Sequence, residues 1–238
     1  MDEIKYYEKI VVASFDILGF KKRIMVDSKD AATILANLIK NAYFGNSFYS
    51  KEVNLNDPES EKYKISDFYG KMERYSDSMF LYGDPQKSIE DQFTLMTAMA
   101  AKTIALGFNC KSPYAVRCGI AVGDLHEISL NEYGKTISVF TGTSVLKAYE
   151  IEQEQNWAGG AIHEDLVTYA TGGLVIKTFN EIPWKYEKRT KIAVDWRKVL
   201  LAHNADKAHW KSIINQVFNE NEEEVQKKKN HTINFFEN

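Results

Sequence analysis

Apolar positions along this chain of 238 residues recur with a period that switches between about two and about 3.6, the signatures of strand and helix. The first run, Lys9-Ile10-Val11-Val12-Ala13-Ser14-Phe15, is apolar and β-branched over the length of a strand buried on both faces. It leads into Asp16-Ile17-Leu18-Gly19-Phe20, where the glycine permits a sharp turn. Ala31, Ile34, Leu35, Leu38, Ile39 and Ala42 then fall at helix spacing, with Asp27, Ser28 or Asp30 as the cap. Residues 45 to 64 crowd Asn46, Ser47, Ser50, Asn54, Asn56, Asp57, Pro58 and Ser60 into a long loop. Strand pattern returns from Asp67 to Arg74. Tyr75-Ser76-Asp77-Ser78 has turn composition, and Met79-Phe80-Leu81-Tyr82 follows, so the pair reads as a hairpin with Asp77 at its tip. A second helix runs from Ser88 to Leu106, and a strand from Ala115 to Val122.

That order is βαββαβ, a ferredoxin-like α+β core. Right-handed crossovers put the first strand between the third and fourth. The first and third are then antiparallel neighbours, and Asp16, ending one, meets Asp77, beginning the other. Further on, the pattern predicts a strand at Thr136 to Phe140, a helix at Ser144 to Glu154 and a short strand at Gly159 to His163. A helical turn over Glu164 to Tyr169 comes next, then a hairpin of Leu174 to Phe179 with Trp184 to Tyr186. From Asp206 the chain reads as helical, and the charged run Glu222 to Lys229 as a solvated or frayed terminus. No repeat and no Pro- or Gly-rich linker separates a second domain, so residues 1 to 238 are expected to form one domain with its core over about 10 to 200.

Composition narrows the picture only slightly. A formal net charge of -3 gives no field that argues for nucleic acid or an anionic membrane. There is no signal peptide and no long apolar run, which predicts a soluble cytoplasmic protein. Cys110 and Cys118 have no metal-ligand spacing and read as small buried side chains.

The chemistry lies in the paired carboxylates. An aspartate after a strand commonly serves as a cap or turn residue, and either one alone has that reading. Two brought together at adjacent strand ends suit magnesium or manganese, hard cations that take oxygen ligands and share them with substrate phosphates. Such a pair can hold two ions for one displacement. Ile17 offers a backbone carbonyl beside Asp16, and the turn through Leu18, Gly19 and Phe20 offers amides to a triphosphate.

Phe15-Asp16-Ile17-Leu18-Gly19-Phe20 resembles the F-x-D-x-x-G-F opening of class III adenylate and guanylate cyclases, short of one residue between Phe and Asp. Ser76-Asp77-Ser78 resembles the segment of their second metal-binding aspartate, and Arg117-Cys118-Gly119-Ile120-Ala121-Val122-Gly123 their R-x-G-I-x-x-G strand. Phe140-Thr141-Gly142 into Ala148-Tyr149-Glu150 sits where they have a W-G-x-x-V-N helix. The departures are specific. Leu146 and Glu150 stand where the family has its transition-state asparagine and arginine. Glu73 replaces the lysine that reads adenine, and Ser76 the glycine before the second aspartate. Together these features are most similar to the stand-alone pyrimidine cyclases of Pycsar antiphage systems.

The resemblance implies cyclisation of UTP or CTP on two Mn2+ or Mg2+ ions held by Asp16, Ile17 and Asp77. Phe15, Leu18, Gly19, Phe20 and Arg74 would contact the nucleotide, Arg74 through its planar fork. It also implies a homodimer with sites at the interface and a separate effector protein for the product. A solvated strand role for Arg74, a surface role for Lys147 and a structural role for Arg117 are the simpler readings of those residues. Tyr75 is a further candidate for stacking on a base. Three alternatives stand beside this one, the first an adenylate or guanylate cyclase. Diguanylate cyclases and polymerase palms share the paired acids, but no G-G-[DE]-[DE]-F signature is present. An inactive cyclase-like dimerisation or binding module would explain Leu146 and Glu150.

Overall fold

The first strand, β1 (Glu3–Ile17), carries the chain's most continuous apolar run through the middle of a mixed sheet. The computed structural model describes residues 3–40, 42, 71–75, 77–132, 135–169, 176–186 and 190–238, with main chain alone at 71, 74, 75, 132, 135 and 136. The loop expected at 45 to 64 and the strand start at Asp67 lie outside the described residues.

After β1 come helices α1 (Phe20–Val26) and α2 (Ser28–Ile39), then strands β2 (Lys71–Tyr75) and β3 (Ser78–Tyr82). Helix α3 (Ile89–Phe108), strands β4 (Val116–Glu132) and β5 (Lys135–Thr141) and helix α4 (Thr143–Glu154) follow. Strand β6 (Gly159–Ile162), a 3-10 turn over Glu164–Tyr169, and strands β7 (Ile176–Thr178) and β8 (Ile192–Val194) complete the sheet. Helices α5 (Arg197–His203), α6 (Lys207–Val217) and α7 (Glu223–Glu237) close the chain. The sheet order is β2-β3-β1-β4-β6-β8-β7, with β5 on β4. β1 therefore lies between β3 and β4 and antiparallel to β3, as expected, and it is antiparallel to β4 as well.

Alternation along β1 divides the core. Val11, Ala13, Phe15 and Ile17 join the main cluster with Ala31, Ile34 and Leu38 of α2 and Phe93, Met96 and Ile104 of α3. Ile10 and Val12 join a smaller cluster on the other face with Phe80, Tyr82, Ala121, Leu125, Phe140 and Ala148. Asp27 caps α2 by accepting from the amides of Lys29 and Asp30, each at 3.0 Å. Helix α4 lies close on the second face because the strand beneath it is bare there. A Cβ on Gly119 would come within 2.2 Å of the Ala148 carbonyl oxygen and 2.5 Å of the Glu152 amide nitrogen. Gly123 makes the same room for Thr143, and Ser14 stands opposite Gly119 in the ladder.

Two expectations need correction. Trp184 to Tyr186 does not pair with the strand at Ile176. β7 pairs with β8, while Trp184 makes a single bridge to Gln155. Pro183 precedes that segment and has no N–H to give a ladder, whereas Ile192-Ala193-Val194 is apolar with β-branched residues at both ends. Nor is the charged C-terminus frayed. Its charges occupy the outer face of α7, and Thr232, Phe235 and Phe236, at i, i+3 and i+4, form a buried stripe. Phe235 packs edge-on against Trp157 at 4.6 Å and Phe179 at 5.0 Å, and beside Trp196 at 5.7 Å. Among the described residues, no helix is long and apolar enough to cross a membrane.

Candidate active site

Asp16 is the penultimate residue of β1, and the register sets it directly between Ser78 of β3 and Arg117 of β4. Asp77 precedes Ser78 in the turn that the Tyr75–Ser78 pair closes. The two carboxylates thus reach the same end of two adjacent strands. Burial pushes the Asp16 carboxyl above its ordinary range, the Arg117 guanidinium opposes that, and the charge of Asp77 adds to it. Like charges converging where one is mostly desolvated are relieved by a cation.

Arg117 supplies part of that relief. It is 5% exposed. Nη2 donates to Asp16 Oδ2 at 3.0 Å and Nε to Glu152 Oε1 at 2.6 Å. Nη1 donates to the carbonyls of Gln155 at 3.1 Å and Gln153 at 3.4 Å. These carbonyls end α4, where a cation also meets the negative pole of the helix. Lys185 donates its ammonium to the same Gln153 carbonyl. Burial and the nearby charges of Arg117 and Lys228 hold the Lys185 pKa below its usual value. Glu152 is fully buried, and its carboxyl is pushed up to about 7 by burial, against the pull of Arg117.

The donor set fits hard divalent ions. With Asp16 Oδ2 engaged by Arg117, the oxygen donors that these strand ends offer a cation are Asp16 Oδ1, the Asp77 carboxylate and the Ile17 carbonyl. Among the described residues no group of three or more His, Cys, Asp or Glu forms a metal cage. A cation held here would complete its shell with water and substrate phosphate, the habit of magnesium and manganese.

The turn after Asp16 contributes main chain rather than side chains. Phe15, Ile17 and Phe20 are buried in the main cluster. Leu18 gives its amide to the Ala115 carbonyl at 3.0 Å, so its N–H is engaged within the fold. Gly19 has φ +75°, the left-handed region that glycine adopts without strain, and it caps α1. Arg74 stands opposite Met79 in the β2–β3 ladder, and its side chain lies outside the described residues, as does that of Tyr75.

The departures from the cyclase pattern also have definite places. Glu73 accepts from the Tyr82 hydroxyl at 2.8 Å and the Phe140 amide at 3.1 Å, beside the stacked Tyr82 and Phe140 rings. Leu146 is 56% exposed on the outer side of α4. Lys147 pairs with Asp165 at 2.6 Å. By sequence alone Arg117 has only a structural role, and nothing singles out Glu152 or Lys185. The register was the missed signal, because a residue ending β1 must face one beginning β4.

The three-dimensional comparisons agree on the architecture. The chain is similar to the adenylyl cyclase CyaB from P. aeruginosa, at 14% identity and a TM-score of 0.57, over 81% of this chain and 95% of that one. It is similar to the guanylate cyclase domain of RhGC from Catenaria anguillulae in complex with GTP, at 15% identity and a TM-score of 0.55, over 79% and 96%. A non-canonical dimeric guanylyl cyclase domain of the RhoGC fusion protein from the aquatic fungus Blastocladiella emersonii matches at 15% identity and a TM-score of 0.55, over 81% and 97%. No family profile matches the sequence, and no curated protein is similar to it in sequence. The chain has the fold of class III nucleotidyl cyclase catalytic domains, with additional C-terminal elements.

Proposed function

We propose that this protein is a nucleotidyl cyclase that converts a pyrimidine ribonucleoside triphosphate, UTP or CTP, to its 3′,5′-cyclic monophosphate and pyrophosphate. The observation that carries the reading is the convergence of Asp16 and Asp77 at neighbouring strand ends of a cyclase-fold sheet. The ribose 3′-oxygen forms a bond to the α-phosphorus, the bond from that phosphorus to the bridging oxygen of pyrophosphate breaks, and the hydroxyl proton passes to solvent. Two Mn2+ or Mg2+ ions would lower the pKa of the hydroxyl and offset charge on the triphosphate. Asp16 and Asp77, with the Ile17 carbonyl, would hold those ions at the strand ends. Main-chain amides from Gly19 onward meet the phosphates, and Arg74 is the side chain assigned to the nucleotide.

The choice of a pyrimidine rests on what stands in place of the purine machinery. Glu73, an acceptor tied to Tyr82 and Phe140, replaces an adenine-reading lysine, and Leu146 and Glu150 replace the transition-state asparagine and arginine. A homodimer with sites at the interface is the assembly that the resemblance to class III cyclases implies. The cyclic product would act on a separate effector in antiphage defence. Leu146 and Glu150 equally favour one other reading, an inactive dimerisation module on the same fold.

Incubating the protein with ATP, GTP, UTP and CTP in turn with Mn2+, and resolving products by chromatography, tests these readings. Cyclic UMP or cyclic CMP as the main product is expected. A purine product would overturn the pyrimidine assignment, and no product from any of the four would leave the binding module.

A further inference from the structure

The Arg117 to Gly123 motif of β4 carries more than packing. Its glycines admit α4, and its arginine is clamped between α4 and Asp16. Three of the five guanidinium N–H directions are aimed by partners that cannot turn. The Nε bond goes to a carboxylate with no solvent exposure, and the Nη1 bonds go to main-chain carbonyls at the end of a helix. Because the guanidinium is planar, fixing Nε and Nη1 also fixes where Nη2 points. It points at Oδ2 of Asp16, whose side chain is 14% exposed.

A buried ion network of this kind is weak evidence for stability, since apolar residues of similar volume often serve as well. What an apolar residue at 117 cannot do is hold one oxygen of Asp16 and leave the other for a ligand. We infer that Arg117 is a positioning residue for the metal-bearing carboxylate, gripped by Glu152 and the end of α4 so that Asp16 presents Oδ1 in a fixed orientation. This is the outer-shell role that orients ligands at metal sites, whose loss costs about 10- to 100-fold in metal affinity. The inference rests on the assignment of Asp16 as a metal ligand in the proposed function.

The test is Mn2+ binding to the nucleotide-free protein, followed by the electron paramagnetic resonance signal of free Mn2+ well below the unfolding temperature. Arg117→Lys keeps the positive charge but loses the rigid fork, and its affinity for Mn2+ is expected to fall at least about tenfold. Glu152→Ala keeps the arginine and frees Nε, and it is expected to weaken Mn2+ in the same direction; it serves as well if the lysine variant does not fold. Wild-type affinity in either folded variant overturns the inference, whatever its melting temperature. Tighter binding by Arg117→Met also overturns it, because the guanidinium would then be only a competing charge. A wild-type protein that binds no Mn2+ overturns the metal assignment itself, a result distinct from loss in the variants alone.

Discussion

Replacing Phe235 with alanine probes the least expected part of the fold. The ring is fully buried near the end of α7. Trp157 lies 4.6 Å from it, Phe179 5.0 Å and Trp196 5.7 Å, with the Arg197 guanidinium 4.9 Å over its face. Three aromatic walls on separate segments cannot all close on an alanine, so the lost transfer energy is compounded by a cavity. Phe→Ala at such a site costs about 3–5 kcal/mol. For a chain of this size that lowers Tm by roughly 6–20 °C, at about 2–4 °C per kcal/mol. Urea and thermal unfolding measure it. Limited proteolysis should also cut the C-terminal helix faster, because Thr232, which accepts from the Ala158 amide at 3.0 Å, would lose its mooring. Glu224→Ala on the exposed face of the same helix is the control, with a change within about 0.5 kcal/mol. Superimposable curves for Phe235→Ala and wild type would refute the account and return α7 to a frayed tail.

Two other changes test the site. Gly119→Ala places a methyl against main-chain atoms of α4 at 2.2 and 2.5 Å, so the helix must lift from the sheet. A loss of about 1–3 kcal/mol is expected, with reduced turnover, and an unchanged melting curve would contradict the close-packing argument. Glu152 holds its proton up to about 7 when folded, against an ordinary 4.5. Between those values the unfolded chain has released a proton that the native protein keeps, so stability falls as pH rises through that window. Denaturation midpoints measured at intervals from acid to neutral pH should show that slope in wild type and lose part of it in Glu152→Gln. Identical slopes would remove Glu152 as its source.

The parts legible in the sequence were those that burial dictates. An uninterrupted apolar run such as Ile10 to Phe15 fits only the interior of a sheet, and the βαββαβ order then brings Asp16 to Ser78 and so to Asp77. The hidden parts depend on pairing details. Arg117 looked like an ordinary strand-start residue because its meaning lies in the register with Asp16 and in Glu152, 35 positions away. Phe235 was masked by the lysine and glutamate run before it, although Thr232, Phe235 and Phe236 already carried a helical stripe. Trp184 to Tyr186 resembled a strand by composition, and Pro183 was the sign against it.

The most direct measurement is release of pyrophosphate together with cyclic nucleotide by wild type, Asp16→Asn and Asp77→Asn at equal concentration with Mn2+. Wild type should release the two in equal amounts from a pyrimidine triphosphate, and each variant should lose turnover while keeping its fold by circular dichroism. Cyclic product formed at the wild-type rate by either variant would contradict the assignment of these two strand ends as the metal-bearing catalytic pair.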